Sequence, residues 1–149
     1  MSRANPSLPS PRLRHLARAL RPWLPVLAAC LCLALYSWKP GSRAPEIAFS
    51  LRDKLDHFSV YFLLGILTAK ALPTQLRGMP RWLVAFALVS AFGLSDEIAQ
   101  HFNPARTGDP LDWLADSVGA LLGAFAYIRS AAFQRLVDWS PIRCFKRQL

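Results

Sequence analysis

Four long apolar stretches, separated by short polar segments, dominate the chain. They cover residues 22–38, 55–72, 81–99 and 111–128, and each approaches the roughly 17 to 25 residues that a helix needs to cross the hydrocarbon core of a bilayer. The first stretch has no polar stripe, and a helix that is apolar on all sides requires lipid or a large core around it. Because 149 residues cannot build such a core, the pattern predicts an all-α fold, a four-helix polytopic transmembrane bundle.

Short amphipathic segments flank the four stretches. Leu13, Leu16 and Leu20 recur at helical spacing among arginines, and Phe133, Leu136 and Val137 do so near the C-terminus. Basic amphipathic helices lie in the membrane interface, so a short interfacial helix is predicted at each terminus. The predicted organisation is a basic N-terminal tail at 1–21, a four-span membrane domain at 22–130 and a basic amphipathic tail at 131–149.

The basic segment before the first stretch also suits a signal peptide. The small residues that end at Ala44 are followed by Pro45, which is unfavourable directly after a cleavage site. The stretch is therefore interpreted as a retained span.

The distribution of charge predicts the orientation. Thirteen Lys and Arg residues fall before the first stretch, around the 73–80 loop or after the fourth stretch, against five on the other side, which carries eight of the nine acidic residues. Because basic residues concentrate in cytoplasmic loops, both termini are expected in the cytoplasm of a multi-pass protein of the cytoplasmic (inner) membrane. The net charge of +9 then indicates anionic membrane lipids as partners and not nucleic acid, since the basic residues flank spans and form no recognition motif.

Polar residues enter the spans at the acidic side along three stripes. The stripes are Asp53, His57 and Tyr61 in the second span, Asp96, Glu97 and Gln100 in the third, and Asp112 and Asp116 with Gly119 and Gly123 in the fourth. Residues four apart share a helical face, so the three stripes are expected to meet at one level.

Ordinary structural roles compete with function at several of these positions. Asp53 and Asp109 stand where helix N-caps belong, and Tyr61 suits the aromatic belt of the interface. Gly119 and Gly123 favour close helix packing, as does Gly65.

The remaining acidic residues are not explained in this way. Asp96 and Glu97 lie near the C-terminal end of their helix, where the dipole disfavours anions, and Asp116 lies deep in an apolar segment. Such carboxylates need cationic partners, and Lys54, His57 and Arg106 are the candidates. The cluster is therefore predicted to be functional.

The sequence resembles the VanZ-like membrane proteins over about residues 53–123. The resemblance is carried by Asp53-Lys54-x-x-His57-Phe58 with Tyr61, by Glu97-x-x-Gln100, by Arg106 with Asp109 or Asp112, and by Gly119-x-x-x-Gly123. Asp116 departs from the family, which commonly has Asn there. The resemblance implies a four-helix protein of the cell envelope, linked through one member to low-level teicoplanin resistance, and it implies no particular reaction.

Three functions remain open at this point. The first is an enzyme that acts on a lipid-linked envelope precursor or headgroup, with His57 and Glu97 as acid and base among further acidic residues, Asp96, Asp112 and Asp116, and with a binding set of Arg106, Lys54, Tyr61, Gln100, Asp53 and Asp109. The second is a binding or proton-relay protein, and the third is an accessory subunit, so that an oligomer or a partner protein is also open. Carboxylates beside His57 could instead hold a divalent metal, the weaker form of the first function, because the sequence has one well-placed histidine and no paired-histidine motif. No cofactor is therefore predicted.

Overall fold

The structure, a computed structural model, describes residues 10–38, 51–74, 76, 78–103 and 108–138. Every regular element in these ranges is helical: α1 (Pro11–Leu20), α2 (Leu24–Ser37), α3 (Leu51–Ala71), α4 (Arg81–His101), α5 (Pro110–Arg129) and α6 (Ala131–Val137), with a single 3₁₀ turn, Arg21–Trp23, between α1 and α2. The predicted all-α fold is confirmed.

Three helical segments are long and apolar enough to cross a membrane: Arg12–Ser37, Arg81–His101 and Pro110–Arg129. They contain three of the four predicted spans, and the protein is a membrane protein. The helix α3 has 21 residues and is long enough, but charged side chains near both of its ends shorten its apolar part. Three candidate spans are thus found among the described residues, and the predicted count of four is not confirmed.

Close contact between α3 and α5 forms the centre of the bundle. A Cβ atom at Gly119 would collide with the carbonyl oxygen of Phe58, and one at Gly123 would collide with that of Phe62. From the other side, Gly65 lies against the backbone of Ala120 in the same way. The predicted packing role of these glycines is confirmed, since only residues without a side chain let the two backbones approach this closely.

The helix α4 packs along the same pair of helices. Val89 is 2% exposed within the core, and the hydroxyl groups of Ser90 and Ser117 are 2.7 Å apart in a hydrogen bond between α4 and α5. The indole nitrogen of Trp113 donates a second interhelical bond to the Ser90 carbonyl oxygen, at 3.2 Å. Polar bonds of this kind hold helices in register where apolar contact alone is unspecific.

Both terminal segments form the predicted short helices, α1 and α6. The helix α1 is amphipathic as predicted, but the helical path continues through the 3₁₀ turn into α2. After a break at Ser130, whose hydroxyl caps α6, Phe133 and Val137 pack toward the bundle while Leu136 is 72% exposed. The predicted apolar face of this segment is thus divided between the core and the outside.

Replacing Gly119 by leucine tests the contact between α3 and α5. The new side chain has no space against the backbone of Phe58. We therefore expect the free energy of unfolding in detergent to fall by about 1–3 kcal/mol or more, since about 1–3 kcal/mol is the usual cost of overpacking. Ala91→Leu on the exposed side of α4 is the matched control. Equal stability of the two variants, measured by thermal unfolding, would contradict the packing described here.

Candidate functional site

Eight polar side chains form one cluster at the end of the bundle where α3 and α5 begin and α4 ends. This polar cluster consists of Asp53, Lys54, His57 and Tyr61 from α3, Glu97 from α4, and Asp109, Asp112 and Asp116 from the start of α5. The structure therefore brings together residues of all three predicted stripes.

Lys54 is the cation that joins α3 to the beginning of α5. Its Nζ atom donates a 2.6 Å bond to Asp109 Oδ2, forms a second bond to Asp112 Oδ1, and lies 3.9 Å from Asp53 Oδ2. The Lys54 side chain is only 12% exposed. The predicted pairing of Lys54 with the acidic residues is thus found, and their carboxylates balance the positive charge of its ammonium group.

Asp109 also caps α5, as predicted. Its Oδ1 atom accepts from the N–H of Leu111 at 2.9 Å, which is the N-cap geometry, and Pro110 is the first residue of the helix. The hydrogen bond from Lys54 lowers the pKa of this carboxyl, which lies outside the spanning helix. The N-cap prediction for Asp53 is wrong, because α3 already begins at Leu51 and Asp53 lies within its first turn.

His57 and Asp116 form the most buried charged contact of the cluster. The distance from His57 Nδ1 to Asp116 Oδ1 is 2.9 Å, and the Asp116 side chain is 1% exposed. This contact orients the imidazole ring and leaves Nε2 as the nitrogen that can exchange a proton with a ligand. The pair crosses the α3–α5 contact, so it exists only because the glycines allow that contact.

Glu97 reaches the same place from α4. Its Oε2 atom accepts a 3.0 Å bond from the backbone N–H of Asp109, whereas Oε1 is buried and has no hydrogen-bond partner among the described residues. One ligand atom from each of His57, Glu97 and Asp116 lies within 4.8 Å of the others. The acid and the base proposed from the sequence are therefore neighbours.

Tyr61 completes the buried side of the cluster. It is 2% exposed, and its hydroxyl has no hydrogen-bond partner within the part of the chain that the structure describes. A Cβ atom at Gly93 would lie 3.0 Å from Tyr61 Cε1 and 3.2 Å from Asp116 Oδ2, so this glycine makes room for both side chains. Tyr61 is thus buried in the bundle, which disagrees with an interfacial belt position.

Exposure falls steadily through the cluster. Side-chain exposure is 54% at Asp53, 37% at Asp109, 20% at His57, 12% at Asp112 and 1% at Asp116. A ligand can therefore reach the charged groups from the end of the bundle and meet His57 before the buried carboxylate.

Asp96 and Gln100 belong to a neighbouring network that sequence reasoning did not predict. Asp96 Oδ2 accepts from Ser37 Oγ at 2.8 Å and from Gln100 Nε2 at 3.1 Å, and Asn103 Nδ2 donates to the Ser37 carbonyl oxygen at 3.4 Å. Ser37, which is 6% exposed, thereby joins the end of α2 to the end of α4. The only signal for this network in the sequence was the position of Ser37 as the last polar residue of the first span.

Arg106, predicted as a binding residue of the site, lies outside the described residues.

Comparison with known proteins identifies one family. The family model described as VanZ/LLP1 matches residues 33–134, a range that includes all residues of the polar cluster. A comparison with the curated proteins found no match, and a comparison with the solved structures found none either.

Lys54→Met tests the ion pairs of the cluster. Loss of the ammonium group leaves the largely buried Asp112 without its cation, and we expect a loss of about 3 kcal/mol in the free energy of unfolding, the cost typical of breaking a buried pair. The double variant Lys54→Met/Asp112→Leu should recover part of this loss. The control is Arg52→Met, which changes an exposed residue two positions before Lys54 on α3. A Lys54→Met protein as stable as this control would contradict the pairing.

Proposed function

This chain belongs to the VanZ/LLP1 family, and from that premise we propose that it is a cell-envelope membrane protein whose polar cluster binds the headgroup of a lipid or of a lipid-linked envelope precursor. The observation that carries the proposal is the His57–Asp116 contact beside a buried oxygen of Glu97 that has no hydrogen-bond partner among the described residues. Charged groups deep in a membrane bundle cost stability and persist where they serve a ligand or a pathway. Binding at this end of the bundle gives them that role.

The chemistry of the cluster suits a headgroup that carries hydroxyl, amino or phosphate groups. The carboxylates of Asp53 and Asp109 are the more exposed members, and they accept hydrogen bonds from hydroxyl and amino groups. His57 can donate to, or accept from, a group that reaches Nε2. Arg106 is the proposed partner of a phosphate or carboxylate, which a guanidinium group binds in two hydrogen bonds.

Acid–base chemistry is available at the same point. His57 and Glu97 both change charge by taking up or releasing a proton, and they lie within reach of one bound group. Binding of the headgroup needs no proton transfer, so a headgroup altered on incubation with the protein would show catalysis in addition to binding.

The proposed orientation places the polar cluster at the outer face of the inner membrane, with both termini in the cytoplasm. The excess of basic residues at the opposite side supports it. In this arrangement α3 is the fourth spanning helix. It is buried against α5 through Gly65, so lipid contacts only part of its surface.

A second candidate is a helix-locking role without a ligand. It is favoured by the Lys54 bonds from α3 to α5 and by the Ser37–Asp96 bond from α2 to α4. These contacts join the helices at one end and explain Asp96 and Asp112. They leave Glu97 Oε1 and the Tyr61 hydroxyl unexplained.

Mass spectrometry of lipid that copurifies with the protein tests the binding proposal. We expect wild-type protein to retain a headgroup-bearing envelope lipid, and His57→Gln and Glu97→Gln to accumulate in the membrane but to lose at least about nine-tenths of it after washing with lipid-free detergent, which keeps free lipid below its Kd, as expected for a tenfold or greater loss of affinity. Asp56→Asn and His101→Gln change exposed residues of α3 and α4 and are the matched controls.

The outcomes separate the two candidates. Equal lipid retention by site variants and controls, or no specific lipid on the wild-type protein, would contradict binding. Failure of only the site variants to accumulate would favour the helix-locking role. Altered lipid after incubation with the wild-type protein would add catalysis to binding. Teicoplanin susceptibility of cells with each variant provides a second readout of the proposed envelope role.

A further inference from the structure

We infer that His57, Glu97 and Asp116 bind a divalent transition-metal ion, for which Zn²⁺ is the probe. One ligand atom of each residue lies within 4.8 Å of the other two. The inference rests on the proposed function in taking the polar cluster as the functional site, and it adds an ion to that site.

Within the described part of the chain, no Lys or Arg pairs with Glu97 or Asp116, and His57 is the one group that can offset their charge. A second set of potential ligands, Asp53, His57 and Asp112, also lies within 4.8 Å. In that set the ammonium of Lys54 is already bonded to Asp112 and lies 3.9 Å from Asp53. The set with Glu97 and Asp116 has two carboxylates and only the imidazole between them.

Two buried polar groups independently indicate a missing partner. Glu97 is 7% exposed, and its Oε1 atom has no hydrogen-bond partner among the described residues. Tyr61 is 2% exposed, its hydroxyl is likewise unpartnered there, and its ring adjoins Asp116 at Gly93. Unsatisfied buried groups are costly, and a bound ion with its water molecules gives both of them a partner.

The surroundings hold the ligands as metal sites usually require. Asp109 donates its backbone N–H to Glu97 Oε2 at 3.0 Å, which fixes the carboxylate and leaves the other oxygen for the ion. Asp109 is itself held by Lys54 and by its capping bond to Leu111. Hydrogen bonds of this kind orient ligands and raise metal affinity.

The donor set selects the class of ion. Mg²⁺ and Ca²⁺ prefer oxygen ligands, whereas an imidazole nitrogen with carboxylates suits Zn²⁺ and related ions. Three protein ligands leave a coordination position for water or for an oxygen of a headgroup, as in catalytic zinc sites. The ion would thus let an acidic site accept an anionic headgroup.

The test is Zn²⁺ titration of the full-length protein, purified with a histidine-free tag, treated with EDTA, and measured by calorimetry and elemental analysis with excess MgCl₂ present. We expect one Zn²⁺ per chain. Glu97→Gln and Asp116→Asn should each weaken binding at least about tenfold, and the exposed His101→Gln and Asp56→Asn controls should bind as the wild type does. No Zn²⁺ on the wild-type protein, or equal binding by site variants and controls, would overturn the inference.

Co²⁺ provides a second measurement that needs only the wild-type protein. Absorption bands of nitrogen and oxygen ligation are expected, whereas a thiolate charge-transfer band would assign the ion to a cysteine and overturn the inference. Lipid retention by the EDTA-treated protein separates this inference from the proposed function. Lipid retention without Zn²⁺ binding would overturn only the metal inference, and Zn²⁺ binding without lipid retention would overturn only the headgroup proposal.

Discussion

The contact between the backbones of α3 and α5 is the constraint on which the rest of the structure depends. Gly119 and Gly123 face the carbonyl groups of Phe58 and Phe62, and no side chain fits between them. Because the two helices lie this close, His57 meets Asp116 and Lys54 meets Asp112. A larger separation would leave two carboxylates of α5 in the bundle without partners, at a cost that a membrane protein cannot easily offset.

The polar cluster divides into contacts that stabilise the fold and groups that the fold leaves available. Lys54 and Asp109 fix the start of α5, and Ser37 with Asp96 fixes the end of α2. These hydrogen bonds give each of the four side chains a partner within the fold. His57, Glu97 and Tyr61 are positioned by the same framework, but within the part of the chain that the structure describes they retain a ring nitrogen, a carboxylate oxygen and a hydroxyl with capacity for a ligand.

Much of this arrangement could be predicted from periodicity and charge. The apolar stretches predicted the helices, and the Asp109-Pro110 pair predicted the start of α5. The spacing of Gly119 and Gly123 predicted that another helix packs closely against this face of α5. These signals are local, since each depends on residues within a turn or two of one helix. They also placed the three stripes at one end, because alternate spans run in opposite directions through the membrane.

The contacts between distant residues could not be predicted in the same way. Ser37 and Asp96 are 59 residues apart, and no spacing within one helix indicates that they meet. The N-cap role considered for Asp53 was wrong because α3 begins at Leu51. The signal for that start was the Ser50-Leu51-Arg52-Asp53 pattern, which is typical of a helix N-terminus and precedes the apolar stretch. The charged residues that link α3 to α5 also shorten the apolar part of α3, which is why α3 is not among the three helices that are apolar enough to cross a membrane.

The most direct test of the account is ¹⁵N NMR of His57 in lipid bilayers, in protein in which His15 and His101 have been replaced by glutamine. We expect the Nδ1 resonance of His57 to show a hydrogen bond, and Asp116→Asn and Gly119→Leu each to shift it, the first by changing its partner and the second by separating the helices. A His57 resonance that neither substitution shifts would contradict the account, because the site would then not depend on the contact between α3 and α5.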